Sequence, residues 1–200
     1  MPKQDSKKKN KAQKHNSRKT SWIKLIIAFV IAACVIIYFS TKYSDFSVPL
    51  DPVKNIFQKQ DISANLYFGD PRSDYLVSEQ RKIQKKFNQN ENIQHVVEEL
   101  IKGPQANLIR TIPKSTIIKN VRIDRNGIAW LDFSSHLSRD HPGGSSAEII
   151  TVYSIANTVI LNFKDVKKVR FLIDGAEIET LAGHIDCRRT IVANKDYIKR

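Results

Sequence analysis

SSAEIITVYSIANTVILNF, residues Ser145 to Phe163, is the stretch on which the fold turns. Ile149, Val152, Tyr153, Ala156, Val159, Ile160 and Phe163 recur at helical spacing and give a broad apolar face. Ser145, followed three residues later by Glu148, has the form of a capping box at the helix start. Strand-period segments lie on both sides of this helix. Before it, Ile117 to Asp124 and Ile128 to Phe133 flank Asn126-Gly127, a dipeptide that favours the tight turn between antiparallel strands. After it, Val169, Phe171 and Ile173 alternate up to Asp174-Gly175, and Ala176 to Leu181 are expected to return as the partner strand.

Further toward the N-terminus the same grammar repeats. Ile62, Ala64, Leu66 and Phe68 alternate along ISANLYF, a half-buried strand closed by Gly69-Asp70-Pro71, and Tyr75 to Ile83 reads as a second, more polar strand. Ile93, Val96, Val97, Leu100 and Ile101 then mark one face of a helix. Asn88 and Glu91 form its expected capping box, and Gly103-Pro104 its end. The order is ββαββαββ, which predicts an α+β domain with two helices on one face of a mainly antiparallel sheet.

Upstream of residue 61 the composition changes. The chain has 200 residues and a formal net charge of +13, and much of that charge is in the tail: up to Lys24 there are nine Lys or Arg against Asp5 alone. A pI set largely by a tail is poor evidence for a nucleic-acid surface, and no nucleic-acid partner is expected. Residues 1–21 hold little to bury and read as a disordered basic tail on the cytoplasmic side. LIIAFVIAACVIIYF, Leu25 to Phe39, is uncharged; counted from Trp22 to Thr41 it gives a span of about 30 Å, the thickness of a hydrocarbon core. Residues 22–41 are therefore expected to be a single transmembrane helix with the bilayer as its partner, and the charge before it places the N-terminus in the cytoplasm. A rival reading takes Ile31-Ala32-Ala33-Cys34 as a lipoprotein processing box, anchoring the chain at Cys34. Residues 42–61, with Pro49 and Pro52, read as a linker. Cys34 in the membrane and Cys187 outside it cannot bridge within one chain.

A set of short motifs in a fixed order resembles a known family. VVEELIKGP (Val96 to Pro104), TIPKST (Thr111 to Thr116), WLDFS (Trp130 to Ser134), GGSSAE (Gly143 to Glu148), VYSIANT (Val152 to Thr158, with Asn157), VRFLIDG (Val169 to Gly175) and TLAGHID (Thr180 to Asp186, with Gly183 and His184) resemble the GerMN domain in a single copy over residues 62–186. Residues 187–200 are left as a C-terminal tail. The resemblance implies an extracytoplasmic α+β domain of the cell envelope, similar to ring-building modules of secretion machines, with no established catalytic activity.

The candidates for chemistry are few. His136, His141, His184 and Cys187 are metal-ligand types, but no pair has zinc-site spacing, so no metal or cofactor is expected. Asp132, Asp174 and Asp186 are carboxylates of the kind that pair in hydrolases, yet Asp174 and Gly175 are accounted for by a turn, and Asp132 before Ser134 suits a loop cap. Ser134, Ser145 and Ser146 lack a nucleophile elbow. Gly143-Gly144-Ser145-Ser146 could present free N–H groups to an anion, or could simply be a flexible entry to a capped helix. His184 beside Asp186 could be a proton-transfer pair or a histidine that orders a loop at the sheet edge. Two functions are carried forward. One is an interaction domain that binds an envelope protein or itself; the other is a peptidoglycan-processing enzyme or accessory factor.

Overall fold

The computed structural model describes residues 5–42 and 60–199, which form two units. The first is a single helix, α1, Asp5–Lys42. Its section Lys24–Lys42 is long and apolar enough to cross a membrane. The tail expected to be disordered is helical from Asp5 onward. The physical reason is propagation: Lys, Gln, Ala and Arg are good helix formers, and extending a helix already nucleated by an apolar segment costs little per residue. The expected linker, residues 42–61, lies outside the described residues except at its ends.

The second unit is α+β. Strands β1 (Asp61–Gly69) and β2 (Leu76–Gln84) pair antiparallel from Asp61↔Gln84 to Gly69↔Leu76. Helix α2 (Gln89–Lys102) follows, then β3 (Ile118–Ile123) and β4 (Ile128–Phe133). A one-turn helix α3 (His136–Arg139) precedes the long helix α4 (Ser145–Asn162). Strands β5 (Lys168–Ile173) and β6 (Ala176–Glu177) and a 3-10 turn at Lys195–Tyr197 complete the unit. The four later strands form one sheet in the order β3-β4-β5-β6, separate from the β1-β2 ribbon.

Two expectations need correction, the antiparallel sheet and the length of the return strand; the tight turn between β3 and β4 is present as expected. The sheet is mixed: β4 and β5 run parallel, with Leu131 opposite Phe171, and α4 is the crossover between them. Alternating burial looks the same in a parallel and an antiparallel strand, so residue pattern alone could not set this. The β3–β4 turn is centred on Arg125 and Asn126, with Gly127 following at φ +76° and donating to the Asp124 carbonyl. A two-residue turn on Asn126-Gly127 would need both at positive φ. Asp124 fixes the form of the turn seen here, since its carboxylate accepts from both Asn126 N and Ile128 N. The return strand β6, expected to run to Leu181, stops at Glu177. The turn before it is as the dipeptide suggests, with Asp174 at φ +51° and Gly175 at +81°.

The core lies between the sheets and the two long helices. Leu66 and Phe68 of β1, Leu131 and Phe133 of β4, Phe171 of β5, Leu100 of α2 and Ile155 of α4 are all essentially inaccessible. Truncating one such side chain to Ala costs about 2–5 kcal/mol. Helix α2 is closed at both ends. Asn88 accepts from Glu91 N at 2.9 Å, while Glu91 reaches the Asn88 side-chain amide instead of its backbone N–H, so half of a capping box is present. At the other end Arg81 donates to the carbonyls of Glu99 and Gly103, and Arg110 to those of Ile101 and Lys102. Gly103 suits this position because its φ of +91° is one that L side chains rarely adopt.

Candidate functional site

Helix α4 carries a buried polar row inside its apolar surface. Thr151, Ser154, Thr158 and Asn162 recur three or four residues apart and so share one face. The last three meet the outer edge of β1, while Thr151 donates to Thr111 O. Asn162 donates to Asn65 O at 2.8 Å and accepts from Asn65 N at 2.9 Å; Thr158 accepts from Tyr67 N at 3.1 Å; Ser154 donates to Tyr67 O at 2.6 Å. Beyond them Gly69 exchanges two backbone hydrogen bonds with Ile109. The edge of β1 is thus paired from Asn65 to Gly69, mostly by side chains standing in for a strand. These residues were not singled out from sequence; their own spacing of three and four was the available signal.

The start of α4 corrects the capping-box reading. Gly144 is the N-cap at φ +85°, no side chain caps the helix, and Ser145 is its first helical residue. Glu148 instead turns inward, fully buried, and receives the backbone of the TLAGHID loop. Its Oε1 accepts from Leu181 N and Ala182 N, both at 2.9 Å, and its Oε2 from His184 N at 2.7 Å. Burial pushes the Glu148 carboxyl up, but backbone donors from Ala182, His184, Ile185 and Leu181 outweigh it and hold the net pKa below the usual carboxylate range. The His184 ring adds one further contact, Nδ1 to Oε2 at 3.2 Å, from a side chain that is 46% exposed.

An open groove of about 760 Å³ lies in front of this helix start. Its walls are the β1–β2 turn (residues 69–75), the segment 109–113 and the first turns of α4. Tyr75 and Ile109 present exposed apolar surface there. His141 stands behind the groove wall at Thr151: its Nδ1 accepts from Gly143 N at 3.0 Å and its Nε2 lies 3.0 Å from Thr151 Oγ1, which in turn donates to Thr111 O. Burial lowers the His141 pKa, against a smaller opposing pull from Glu148.

The remaining residues singled out from sequence fall into three places. At the C-terminal ends of β4 and β5, Asp132 accepts from Gly175 N at 2.8 Å, Ser134 Oγ accepts from Ile117 N at 3.0 Å, and Asp174 pairs with Lys119 at 2.6 Å. On α4, Asn157 is fully buried and clasps Asn194 through both amide atoms, Oδ1 at 2.8 Å and Nδ2 at 2.9 Å. In the TLAGHID loop, Gly183 sits at φ +99° next to His184, whereas Asp186 turns away to Arg188. Glu148, Gly183 and His184 therefore come together, and His184 and Asp186 do not form a pair with each other. Cys187 is buried, with its thiol pushed up to about 11 by desolvation, and Cys34 is exposed on α1. Among the described residues no three His, Cys, Asp or Glu side chains gather as metal ligands.

Fold and site together define an α+β module: a mixed sheet, two long helices, an open groove, and polar side chains directed at the backbone. The chain belongs to the Germane family, described as sporulation and spore germination, whose model matches residues 65–179. Two solved structures share the fold. The first GerMN domain of the sporulation protein GerM from Bacillus subtilis is 22% identical with a TM-score of 0.54, covering 68% of this chain and 99% of that one. The tandem GerMN domains of the same protein give the same identity and TM-score, with 68% and 47% covered, so this chain spans about half of the tandem. A candidate lipoprotein from Clostridium perfringens is 23% identical over 70% of this chain and 93% of its own, with a TM-score of 0.49. A comparison with the curated proteins gives no match.

Proposed function

We propose that this chain is a single-pass, membrane-anchored interaction domain of the bacterial cell envelope, with its N-terminus in the cytoplasm and the GerMN-like domain outside, binding a protein partner or a second copy of itself without catalysis. One observation carries the reading. The polar residues that a catalytic account would need are already engaged with backbone: Glu148 with the TLAGHID loop, Asp132 with Gly175, Ser134 with Ile117 and Asn157 with Asn194. A general acid or nucleophile needs a free atom facing a cleft, and these atoms face the chain itself. The apolar run continues past Cys34 as Val35 to Phe39, where a lipidated N-terminus would be followed by polar residues, and this favours an uncleaved anchor over lipidation at Cys34. The family description leaves a sporulation setting open to this chain, and the binding reading does not depend on it.

The test is incubation of the full-length chain, in detergent, with purified peptidoglycan, with the products read by mass spectrometry. No muropeptide release is expected. Release that disappears in a well-folded His184→Ala variant would overturn the reading in favour of a peptidoglycan-processing enzyme.

A further inference from the structure

One end of the α+β unit gathers basic side chains that make no ion pair among the described residues. Hydrogen bonds bring several segments together there. Lys85 N donates to Gln60 O at 2.8 Å, joining the start of β1 to the end of β2. Asn90 Oδ1 accepts from Ile123 N at 3.3 Å, joining the start of α2 to the end of β3. Gly127 O accepts from Lys167 N at 2.8 Å, joining the β3–β4 turn to the loop after α4. Lys82, Lys85 and Lys86 lie at the ribbon end, Arg125 in the turn, and Lys164, Lys167 and Lys168 in and just after the loop. All but Lys86 are exposed, and the ion pairs of the unit are made by other cations. The same segments carry four carboxylates. Asp124 is turned to Asn126 N and Ile128 N, and Glu91 to the Asn88 amide, which leaves Asp61 and Asp165. This end is therefore net positive. Phe87 stands among the lysines with its side chain fully exposed. It precedes the Asn88 cap of α2, where an apolar residue ordinarily packs on the fourth residue of the helix. That residue is Asn92, whose side chain is bound to the backbone of Lys86 and Asn88 instead, so folding makes no use of the Phe87 ring.

We propose that this end of the domain docks on the surface of an anionic lipid bilayer, its lysines meeting phospholipid headgroups and Phe87 entering the interfacial layer. This goes beyond the binding reading given above and rests on its membrane anchoring. Charge is one argument. Unpaired lysines around an exposed aromatic ring are the combination that binds anionic lipid, the cations by attraction to the headgroups and the ring by burial at the acyl boundary. At the other ends of β1 and β3 the cations are held within the chain, Lys199 by Asp70 and Lys119 by Asp174, both at 2.6 Å. Chain entry is the second argument. Gln60, the first described residue of the unit, lies at this end, and in sequence only residues 43–59 separate it from α1 and its apolar section Lys24–Lys42. An acidic protein would also suit the lysines, but it gives no reason for them to cluster where the anchored chain enters. The attraction acts within a Debye length, about 8 Å at physiological ionic strength, and tethering lets a weak contact suffice.

The test uses the full-length chain, a single copy per lipid nanodisc, in discs of phosphatidylcholine alone or of phosphatidylcholine with phosphatidylglycerol. An amine-acetylating reagent, read by mass spectrometry, reports each lysine. At about 0.15 M salt, Lys82, Lys85, Lys164, Lys167 and Lys168 should react at least about threefold more slowly in the anionic disc. The difference should vanish at about 1 M salt, where the Debye length falls to about 3 Å. Lys114, which precedes β3 at the far end of that strand, should react alike in both discs. Two variants separate docking from a general effect of a charged surface on nearby amines. Phe87→Ser, and the triple change Lys82→Gln, Lys85→Gln and Lys86→Gln, should each restore reactivity at Lys164, Lys167 and Lys168, which lie on a different segment. The proposal is overturned if the five lysines react equally in the two discs, or if their slowing persists in both variants. Slowing by added polyglutamate and not by the anionic disc would also overturn it, assigning this end to an acidic protein partner and leaving the binding reading standing. A chain that enters neither disc would overturn the membrane anchoring and the proposal together, whereas muropeptide release bears on the binding reading alone.

Discussion

Replacing Glu148 by Gln changes one atom of a buried side chain, and the structure sets the size of the effect. Oε1 holds the N–H groups of Leu181 and Ala182, and Oε2 holds that of His184. A glutamine can offer its carbonyl oxygen to one set, but its NH2 group then points donors at the other. One or two buried N–H groups lose their acceptor, at about 1–3 kcal/mol each, and the bonds that survive lose the strength given by a charged acceptor. The sum is about 3–4 kcal/mol. For a unit of this size each kcal/mol moves the melting temperature by about 2–4 °C, so a fall of about 10 °C is expected at pH 7.

The loss should depend on pH in a defined direction. The Glu148 pKa is lowered by folding, so the folded state binds the proton less readily than the unfolded chain. Its contribution is fully present above the unfolded value of 4.5 and fades as pH falls through the lower folded value. The gap between wild type and Glu148→Gln should therefore narrow in acid. Thermal melts of the full-length chain in detergent from pH 7 down to pH 3 would measure it, and hydrogen exchange should show the amides of residues 181–185 opening first in the variant. A variant that melts within about 1 °C of wild type at pH 7, or a gap that stays constant into acid, would refute the anchoring role of Glu148.

His184→Ala should be mild, about 0–1 kcal/mol, because its half-exposed ring adds a single 3.2 Å contact to a carboxylate already held by backbone; a melt shows this directly. Thr158→Val leaves Tyr67 N without an acceptor in a buried setting and should cost about 1–3 kcal/mol, read as a lower melting temperature and faster exchange at Tyr67. Cys34→Ser should change neither the size nor the membrane attachment of the chain if α1 is an uncleaved anchor, and a mobility shift or release into the soluble fraction would favour lipidation. Protease added to intact spheroplasts should digest the domain and spare a tag at Met1; protection of the domain would reverse the orientation.

Local chemistry was legible in the sequence, and pairing at a distance was not. The apolar faces of α2 and α4 and the turns at Asp124–Gly127 and Asp174–Gly175 are set by neighbours within a few residues, where spacing carries the information. The parallel register of β4 on β5 depends on where a crossover helix returns the chain, and side-chain alternation does not encode it. Asn157 and Asn194, 37 residues apart, leave no mark on each other's neighbourhood. Ser-x-x-Glu at residues 145–148 carried the wrong message because the same four letters suit two structures. A serine cap would bend Glu148 back on its own helix, and here Gly144 takes the cap position at positive φ, which leaves Glu148 free to turn inward.

That choice at the helix start also explains why β6 is so short. Ala176 to Leu181 has the composition to pair along β5, and a full-length hairpin would satisfy its backbone within the sheet. Only Ala176 and Glu177 do so. Beyond them the chain leaves the sheet, Leu181 enters the core, and the N–H groups of Leu181, Ala182, His184 and Ile185 find their acceptor in Glu148, while that of Gly183 turns to Thr180 Oγ1. The loop then closes on itself where Cys187 N donates to Glu179 O at 2.7 Å. A single buried carboxylate replaces several strand hydrogen bonds, and it does so with a charged acceptor that strengthens each one. The side of β5 given up by the short return is taken by Ile191, which exchanges two backbone bonds with Val169. The C-terminal residues, read from sequence as a tail, are therefore part of the sheet region, and they continue through Asn194 and Lys199 to hold α4 and β2. Removing residues 187–199 should accordingly unfold the domain rather than trim it.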